Sequence, residues 1–167
     1  MTESERSASR VTPEEFLALV RETLPASEGF DVSFERLEAG LARMRLRYDS
    51  RHVRAGGTLS GPTIMTLADT ALYALVLSLV GMEPLAATTD LTFHFLRRPE
   101  PVDMIAEARV LRHGRRLVVG DVMIYSAGKD DPVAHATGSY ALPTVAVSGG
   151  GAGAGAGAGP GVSSGGR

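Results

Sequence analysis

Cysteine is absent from the 167-residue chain, and its absence excludes several kinds of chemistry. A thiolate nucleophile, a disulfide framework, an iron–sulfur cluster and a Cys-ligated zinc site all need that residue. A large excess of charge is also lacking, because the formal net charge is −2. Nucleic-acid-binding proteins need a basic face to displace phosphate counterions, so the charge balance argues against that class. Catalysis would have to use Asp, Glu, His, Ser, Thr, Tyr, Arg or backbone groups.

The composition divides the chain into one domain with a polar or small-residue segment at each end. Residues 1–11 are polar and have no apolar stretch of the kind found in a secretory signal, so we expect a disordered N-terminus and a cytoplasmic protein. Ten of the 20 glycines lie at or beyond Gly149. They belong to a Gly/Ala-rich segment, residues 148–167, that has nothing to bury and is expected to be a disordered tail. Residues 12–147 remain for a single folded domain.

Hydrophobic patterning predicts a mixed order of helices and strands. Thr12, Pro13 and Glu15 form a capping box at the start of a first helix, which Pro25 ends. The segment from Ser60 to Val80 is apolar on nearly every side and too long for a strand, which predicts a buried helix. Alternating apolar residues predict six strands, two before the long helix and four after it. They lie near Phe30–Phe34, Ala42–Tyr48, Leu91–Phe95, Met104–Leu111, Leu117–Tyr125 and Ala134–Leu142. The expected fold class is α+β, with an antiparallel sheet around one hydrophobic helix.

A single acidic residue, Asp69, interrupts the apolar helix. It is the only charged residue between Ala55 and Met82. A carboxylate in a buried helix costs several kcal/mol unless it is paired, hydrated or functional. Three interpretations are open: a membrane span, a structural carboxylate in a core or dimer seam, and a catalytic carboxylate held partly desolvated. The six strand-like segments around the helix argue against the span.

The start of the same helix favours the catalytic interpretation. Gly61 lets a ligand approach the backbone closely, and helix N-terminal amides carry a partial positive charge that suits a developing oxyanion. Eight residues separate Gly61 from Asp69, which corresponds to about 12 Å of helical rise. One ester or thioester carbon could hardly contact both groups within one chain. A two-fold dimer with antiparallel helices would bring Gly61 of one subunit towards Asp69 of the other.

Four segments of the chain carry a family resemblance: GTLSGPTIMTLADTALYALV, TTDLTFHFLRRPEP, AEARVLRHGRRLVVGDVMIY and AHATGSYAL. Together they resemble the hotdog-fold acyl-CoA thioesterases of the phenylacetate-pathway, or PaaI-like, group, over residues 30–142. The resemblance implies a highly curved antiparallel sheet around a long helix, in homodimers and often in dimers of dimers. It implies hydrolysis of a CoA thioester to a free acid and CoA. We expect no metal or redox cofactor, with coenzyme A present only as part of the substrate.

The resemblance also implies roles for individual residues. Asp69 matches the catalytic carboxylate, and Gly61 matches the glycine whose N–H polarises the thioester carbonyl. Tyr73 and Thr88 match positions that often carry hydroxyls near the attacking water. The turn at residues 112–116 matches a loop that commonly contacts the CoA nucleotide, and guanidinium groups pair well with phosphate. The candidate CoA-binding residues are therefore Arg112, Arg115, Arg116 and Arg97, although Arg97 and its neighbour Arg98 are also placed to flank a turn.

Two positions depart from the family pattern. Ser60 stands where a histidine usually precedes the glycine, and Arg54 stands where many members carry Asn or Gln. An arginine there could donate to a carbonyl or bind a substrate carboxylate or phosphate, which makes Arg54 a candidate substrate-binding residue and leaves the acyl group open. Ser60 has no G-x-S-x-G elbow and is interpreted as a helix cap.

The sequence thus predicts a thioester hydrolase with Asp69 as general base or nucleophile and the Gly61 amide across a dimer interface. The alternative is a non-catalytic acyl-CoA binding or sensing protein that uses the same dimer groove. A hotdog dehydratase is disfavoured, because no His and acidic residue occur together at the start of the long helix. Neither a nucleic acid nor a membrane is an expected partner.

Overall fold

The computed structural model of the chain describes residues 8–23 and 29–143. The tail predicted at 148–167 and residues 1–7 of the predicted disordered N-terminus lie outside these ranges. Residues 8–11 correct that prediction. Val11 is 3% exposed, and the Arg10 N–H donates to the Ser78 carbonyl at 2.9 Å. The ordered chain therefore begins before residue 12, because Val11 joins the hydrophobic core.

Within the described ranges the chain forms two α-helices and eight strands, with a short 3₁₀ turn at Ser50–His52. In chain order they are α1 (Pro13–Thr23), β1 (Val32–Glu38), β2 (Leu41–Leu46), β3 (Val53–Arg54), β4 (Thr58–Leu59), α2 (Gly61–Val80), β5 (Ala87–Phe95), β6 (Met104–His113), β7 (Leu117–Ser126) and β8 (Pro132–Ala141). The predicted order is confirmed. The two-residue strands β3 and β4 are additional to the predicted strands and form a small ribbon around Gly56 and Gly57.

The six long strands form one antiparallel sheet in the order β1-β2-β6-β7-β8-β5. β8, the last of the described strands, lies between β7 and β5, so β1 and β5 are the edges of this sheet. α2 packs mainly against β2, β6 and β7. The α+β class with a sheet around one long helix is confirmed.

Local sequence explains both helix starts. In α1, the Glu15 N–H donates to Thr12 Oγ1 at 3.2 Å, and the Thr12 N–H donates to Glu15 Oε2 at 2.8 Å, which is the predicted capping box. In α2, Ser60 Oγ accepts from the Thr63 N–H at 3.3 Å, so Ser60 is a cap as predicted. Both helices therefore begin where side-chain oxygens satisfy free amides.

α2 approaches the sheet closely because two glycines face it. Gly120 and Gly138 are cross-strand partners on β7 and β8, and Leu72 lies over both. A Cβ at Gly138 would meet Leu72 Cδ1 at 2.8 Å, and one at Gly120 would meet Leu72 Cδ2 at 2.9 Å. The helix has a mean hydropathy of 1.8 and the length of a membrane span, but its apolar residues pack in the core of the domain.

Two aromatic residues predicted for the core lie at the surface. β2 ends at Leu46, and Tyr48 beyond it is 37% exposed. Phe95 ends the edge strand β5, which α2 covers sparsely, and it is 56% exposed. The alternation of apolar and polar residues identified the strands, but it does not show which strand lies at an edge of the sheet.

The outer face of the sheet carries an ion-pair network on β1, β2 and β6. Arg43 donates to Glu35 at 2.8 Å and to Glu107 at 2.6 Å. Arg45 also donates to Glu35, at 2.8 Å, and to Asp103 at 3.1 Å. Arg43 and Arg45 on this face are therefore half-exposed and paired.

Candidate active site

Asp69 lies on the side of α2 that faces β5 and β8. Its Oδ1 accepts hydrogen bonds from the Tyr140 hydroxyl at 2.7 Å and the Thr88 hydroxyl at 2.9 Å. Its Oδ2 has no hydrogen-bond partner among the residues that the structure describes. The Asp69 side chain is half-exposed, because position 69 lines a cavity at the margin of the sheet rather than the packed core. One oxygen is thus fixed, and the other is open.

Tyr140 is a site residue that sequence reasoning missed. Strand alternation placed it on the core face of β8, and it is indeed 4% exposed. Burial, together with the nearby Asp69 carboxylate, raises the pKa of the Tyr140 hydroxyl well above its ordinary value, so this group remains a donor at physiological pH. A buried tyrosine needs a hydrogen-bond partner, and Asp69 is an acceptor in an otherwise apolar helix. These two facts together could have predicted the pair from the sequence.

Tyr73 and Thr88 lie beside Asp69, as their predicted roles require. Both line a cavity of about 310 Å³ together with Asp69 and Tyr140. The Tyr73 ring stacks on the Tyr140 ring, with centroids 5.9 Å apart and planes 13° apart. Burial raises the pKa of Tyr73, and Glu83 adds to that shift. Thr88 holds the carboxylate directly, whereas the resemblance placed its hydroxyl only near the water.

Gly61 presents the one backbone donor of the first turn of α2 that has no acceptor among the described residues. Pro62 has no N–H, Thr63 donates to Ser60 Oγ and Ile64 donates to the Ser60 carbonyl. The Gly61 amide, as the first of the helix, has no intrahelical acceptor. A Cβ on Gly61 would lie 3.1 Å from Phe95 Cζ. Glycine therefore keeps the approach to this amide open.

A second cavity, of about 430 Å³, surrounds Gly61 and is distinct from the cavity at Asp69. Three arginines line it: Arg54, Arg97 and Arg98. Arg97 pairs with Asp131 at 3.3 Å, and Arg98 donates to the Gly56 carbonyl at 2.6 Å. The structure thus brings the candidate residues Arg54 and Arg97 together with Gly61, and it separates all of them from Asp69 of the same chain.

The remaining candidate arginines lie elsewhere. Arg112 is the penultimate residue of β6, and Arg115 and Arg116 lie in the turn before β7; all three are exposed. None of them lines either cavity. In the described part of the chain, no group of three His, Asp or Glu side chains is arranged to hold a metal ion.

A six-stranded antiparallel sheet around one long helix, with a carboxylate on that helix and an open amide at its start, defines the hotdog class of thioesterase folds. The family model for the thioesterase superfamily matches residues 56–133. SSO1253 of Saccharolobus solfataricus, which is named as a candidate esterase, is 30% identical to this chain over 126 residues. The alignment covers 74% of this chain and 83% of SSO1253. The chain belongs to the thioesterase superfamily.

Solved structures agree with this assignment. A protein of Silicibacter sp. TM1040, whose name proposes a thioesterase, is 39% identical with a TM-score of 0.74, covering 84% of this chain and 97% of its own. A point mutant of the phenylacetic acid degradation protein PaaI of Thermus thermophilus is 23% identical with a TM-score of 0.63, over 71% of this chain and 99% of its own. The E. coli PaaI protein is 19% identical with a TM-score of 0.68, over 79% of this chain and 94% of its own. The fold is that of the PaaI-like hotdog proteins.

Proposed function

We propose that the protein hydrolyses an acyl-CoA thioester to a free acid and CoA. The observation that carries this proposal is the asymmetry of Asp69, which lines a cavity and whose Oδ1 is held by two hydroxyls while Oδ2 has no partner among the described residues. A carboxylate held in one orientation with one free oxygen suits a general base or a nucleophile. Membership of the thioesterase superfamily supports thioester hydrolysis as the reaction.

The reaction needs a base on one side of the thioester and a hydrogen-bond donor on the other. With Asp69 as general base, Oδ2 removes a proton from water, and the water oxygen attacks the carbonyl carbon. The resulting oxyanion is stabilised by the amide of the partner subunit's Gly61. When the C–S bond breaks, the sulfur leaves with the proton from Asp69. Direct attack by Asp69 on the carbonyl carbon would instead break the C–S bond, release the CoA thiolate and leave a mixed anhydride. Water would then hydrolyse the anhydride to the free acid and the Asp69 carboxylate.

A homodimer is part of the proposal because Asp69 and Gly61 lie in separate cavities of one chain. β5 is an edge strand with one unpaired side, and Phe95 at its end and the adjoining Leu96 are 56% and 51% exposed. Pairing of β5 with the same strand of a second copy would satisfy the open edge. The strand borders both cavities: Thr88 lines the cavity at Asp69, and Phe95 lines the cavity at Gly61. Pairing of the two β5 strands would therefore also bring the cavities of one copy next to those of the other.

The test is release of free thiol from a panel of aliphatic and aromatic acyl-CoA esters. Replacement Asp69→Asn keeps the size and the acceptor at Oδ1 but removes the base, so turnover is expected to fall on the order of 10²- to 10⁴-fold. Arg36→Gln, at an exposed position of β1 that lines neither cavity, is the control. No thiol release by the unaltered protein, or full turnover by the Asn variant, would contradict the proposal. Tight ester binding without thiol release would instead favour a binding or sensing role.

A further inference from the structure

The cavity at Gly61 contains a buried hydroxyl with no partner. Thr58 lines this cavity and is 2% exposed, and its Oγ1 has no hydrogen-bond partner in the described structure. Buried polar groups in native proteins are nearly always hydrogen-bonded, and an exception calls for a physical account. Thr58 itself lines the cavity, so rotation of its side chain would turn the shielded hydroxyl towards an acceptor on a ligand held there.

Arg54 lies opposite Thr58 on the neighbouring strand. Arg54 and Thr58 are cross-strand partners in the β3–β4 ribbon, and both line the cavity. Directly opposed residues place their side chains as neighbours on one face. Among the described residues Arg54 pairs with no carboxylate; its guanidinium makes one long contact, 3.5 Å, to the Ala55 carbonyl. The pair thus offers a hydroxyl donor and a fixed positive charge.

The rest of the cavity favours an anion attached to a short carbon chain. Asp and Glu do not occur among its lining residues, whereas Arg97 and Arg98 do. Leu59, Ile64 and Phe95 supply apolar wall. A thioester oxygen alone needs few donors, and the Gly61 amide already provides one. The further donors exceed what that oxygen requires.

We propose that Arg54 and Thr58 bind a carboxylate carried by the acyl group, so that the protein prefers CoA thioesters of short dicarboxylic acids. The inference rests on the proposed function, which places the thioester carbonyl at the Gly61 amide. Thr58 precedes Gly61 by three positions, a span of at most ~10 Å. The phosphates of CoA lie at the far end of the pantetheine arm from the thioester, whereas a carboxylate a few carbons beyond the carbonyl fits this span.

The experiment compares kcat/KM for succinyl-CoA and butyryl-CoA, which match in chain length and differ in the terminal carboxylate. In the unaltered protein the succinyl ester is expected to be preferred at least about tenfold, as the loss of a charge-assisted hydrogen bond implies. Arg54→Gln and Thr58→Val should each lower the ratio of kcat/KM for succinyl-CoA to kcat/KM for butyryl-CoA, and Arg54→Lys should retain part of that ratio. The Arg36→Gln control should keep the full preference. Thermal unfolding of each variant verifies that it is folded.

Three outcomes would overturn the inference. Equal kcat/KM for the two esters in the unaltered protein would contradict a carboxylate site. An equal loss on both esters in Arg54→Gln would assign the arginine to a shared part of the substrate. A loss on CoA esters that disappears with the corresponding pantetheine thioesters would assign it to a CoA phosphate.

Failure of the proposed function is distinguishable from failure of this inference. If the unaltered protein hydrolyses neither ester, the hydrolase assignment fails. The carboxylate preference is then measured by equilibrium binding, with calorimetry of succinyl-CoA and butyryl-CoA on the unaltered protein and on Arg54→Gln. Tighter binding of the succinyl ester that is lost in the variant supports the inference, and equal binding of the two esters contradicts it.

Discussion

The Asp69 carboxylate is oriented by two hydroxyls that come from different strands. Thr88 on β5 and Tyr140 on β8 both donate to Oδ1. Hydrogen bonds to a charged acceptor are stronger than those between neutral groups, and two of them from rigid strands fix the rotation of the side chain. The open Oδ2 is therefore directed by groups that need not touch the substrate, which makes Tyr140 a positioning residue.

Replacement Tyr140→Phe tests this role. The ring and its stacking on Tyr73 remain, while one charge-assisted hydrogen bond is lost, so kcat is expected to fall about 10- to 100-fold. KM should change much less, because the Tyr140 side chain is buried. Steady-state kinetics on a thioester that the unaltered protein hydrolyses provides the measurement. A rise in KM at constant kcat would indicate a substrate contact instead.

The raised pKa of Tyr140 predicts how the activity depends on pH. Because the hydroxyl keeps its proton beyond the ordinary tyrosine range, no loss of activity below about pH 10, the ordinary tyrosine value, should originate from this residue. The alkaline limb of the pH–rate profile should therefore coincide for the unaltered protein and the Phe variant.

At the level of elements, the packing of α2 depends on the two facing glycines. Replacement Gly138→Ala would place a Cβ 2.8 Å from Leu72 Cδ1 and 3.1 Å from the Asp90 carbonyl oxygen. The leucine end can move, but the backbone oxygen belongs to a paired strand, so we expect a loss of about 1–3 kcal/mol in the free energy of unfolding. Urea denaturation followed by circular dichroism measures it. Ser139→Ala, on the opposite face, is the control and should change little.

The ion pairs on the outer face predict a dependence of stability on acid. Hydrogen bonds from Arg43 hold the pKa of Glu35 below its ordinary 4.5, and the Tyr48 N–H holds that of Asp103 below 3.8. A lowered pKa means that the folded state binds protons less readily than the unfolded state. The stabilisation is therefore complete above about pH 4.5 and is lost as the pH falls through the lowered values.

For these exposed pairs the total effect should be modest, on the order of 1 kcal/mol. Thermal unfolding from neutral pH down to about pH 2.5 should show a falling midpoint below about pH 4.5, with a smaller fall in Glu35→Gln. Added salt should reduce the difference between the two proteins. An equal acid response in both would assign the loss to other carboxylates.

The elements were predictable to the extent that they depend on local patterns. The capping residues Thr12 and Ser60 and the period of apolar residues set the helix starts and the strand faces. Strand order is decided by contacts between distant segments, and so the exposure of Phe95 at an edge was not predictable. The same limit applies to the site: Asp69 and Gly61 stood out as exceptions on one helix, whereas Tyr140 meets Asp69 only through a contact that spans 71 positions.

For the whole molecule, the shared site of the proposed dimer predicts complementation between two inactive variants. Asp69→Asn lacks the base, and Gly61→Val obstructs the amide with a side chain whose Cβ would lie 3.1 Å from Phe95 Cζ. Each variant alone should be nearly inactive. Random pairing of equal amounts makes half of the dimers mixed, and each mixed dimer has one intact site, so about a quarter of the full activity should return.

The measurement is thiol release after the two variants are unfolded, mixed and refolded together, with separately refolded samples as controls. The separate refolding shows how much activity each variant regains by itself. Activity no greater than the sum of those controls would indicate that base and amide act within one chain.

The position of β8 has a consequence for how the molecule is made. Ribosomes deliver β5 well before β8, yet β5 joins the sheet only through β8. Until the last strand emerges, β5 has no neighbour in the sheet and Asp69 lacks its tyrosine. Nascent chains that stop short of Pro132 would then carry an unpaired strand with exposed aromatic residues, a form prone to aggregation. Synthesis of the final ten-residue strand therefore closes the sheet and completes the anchoring of the carboxylate in one step.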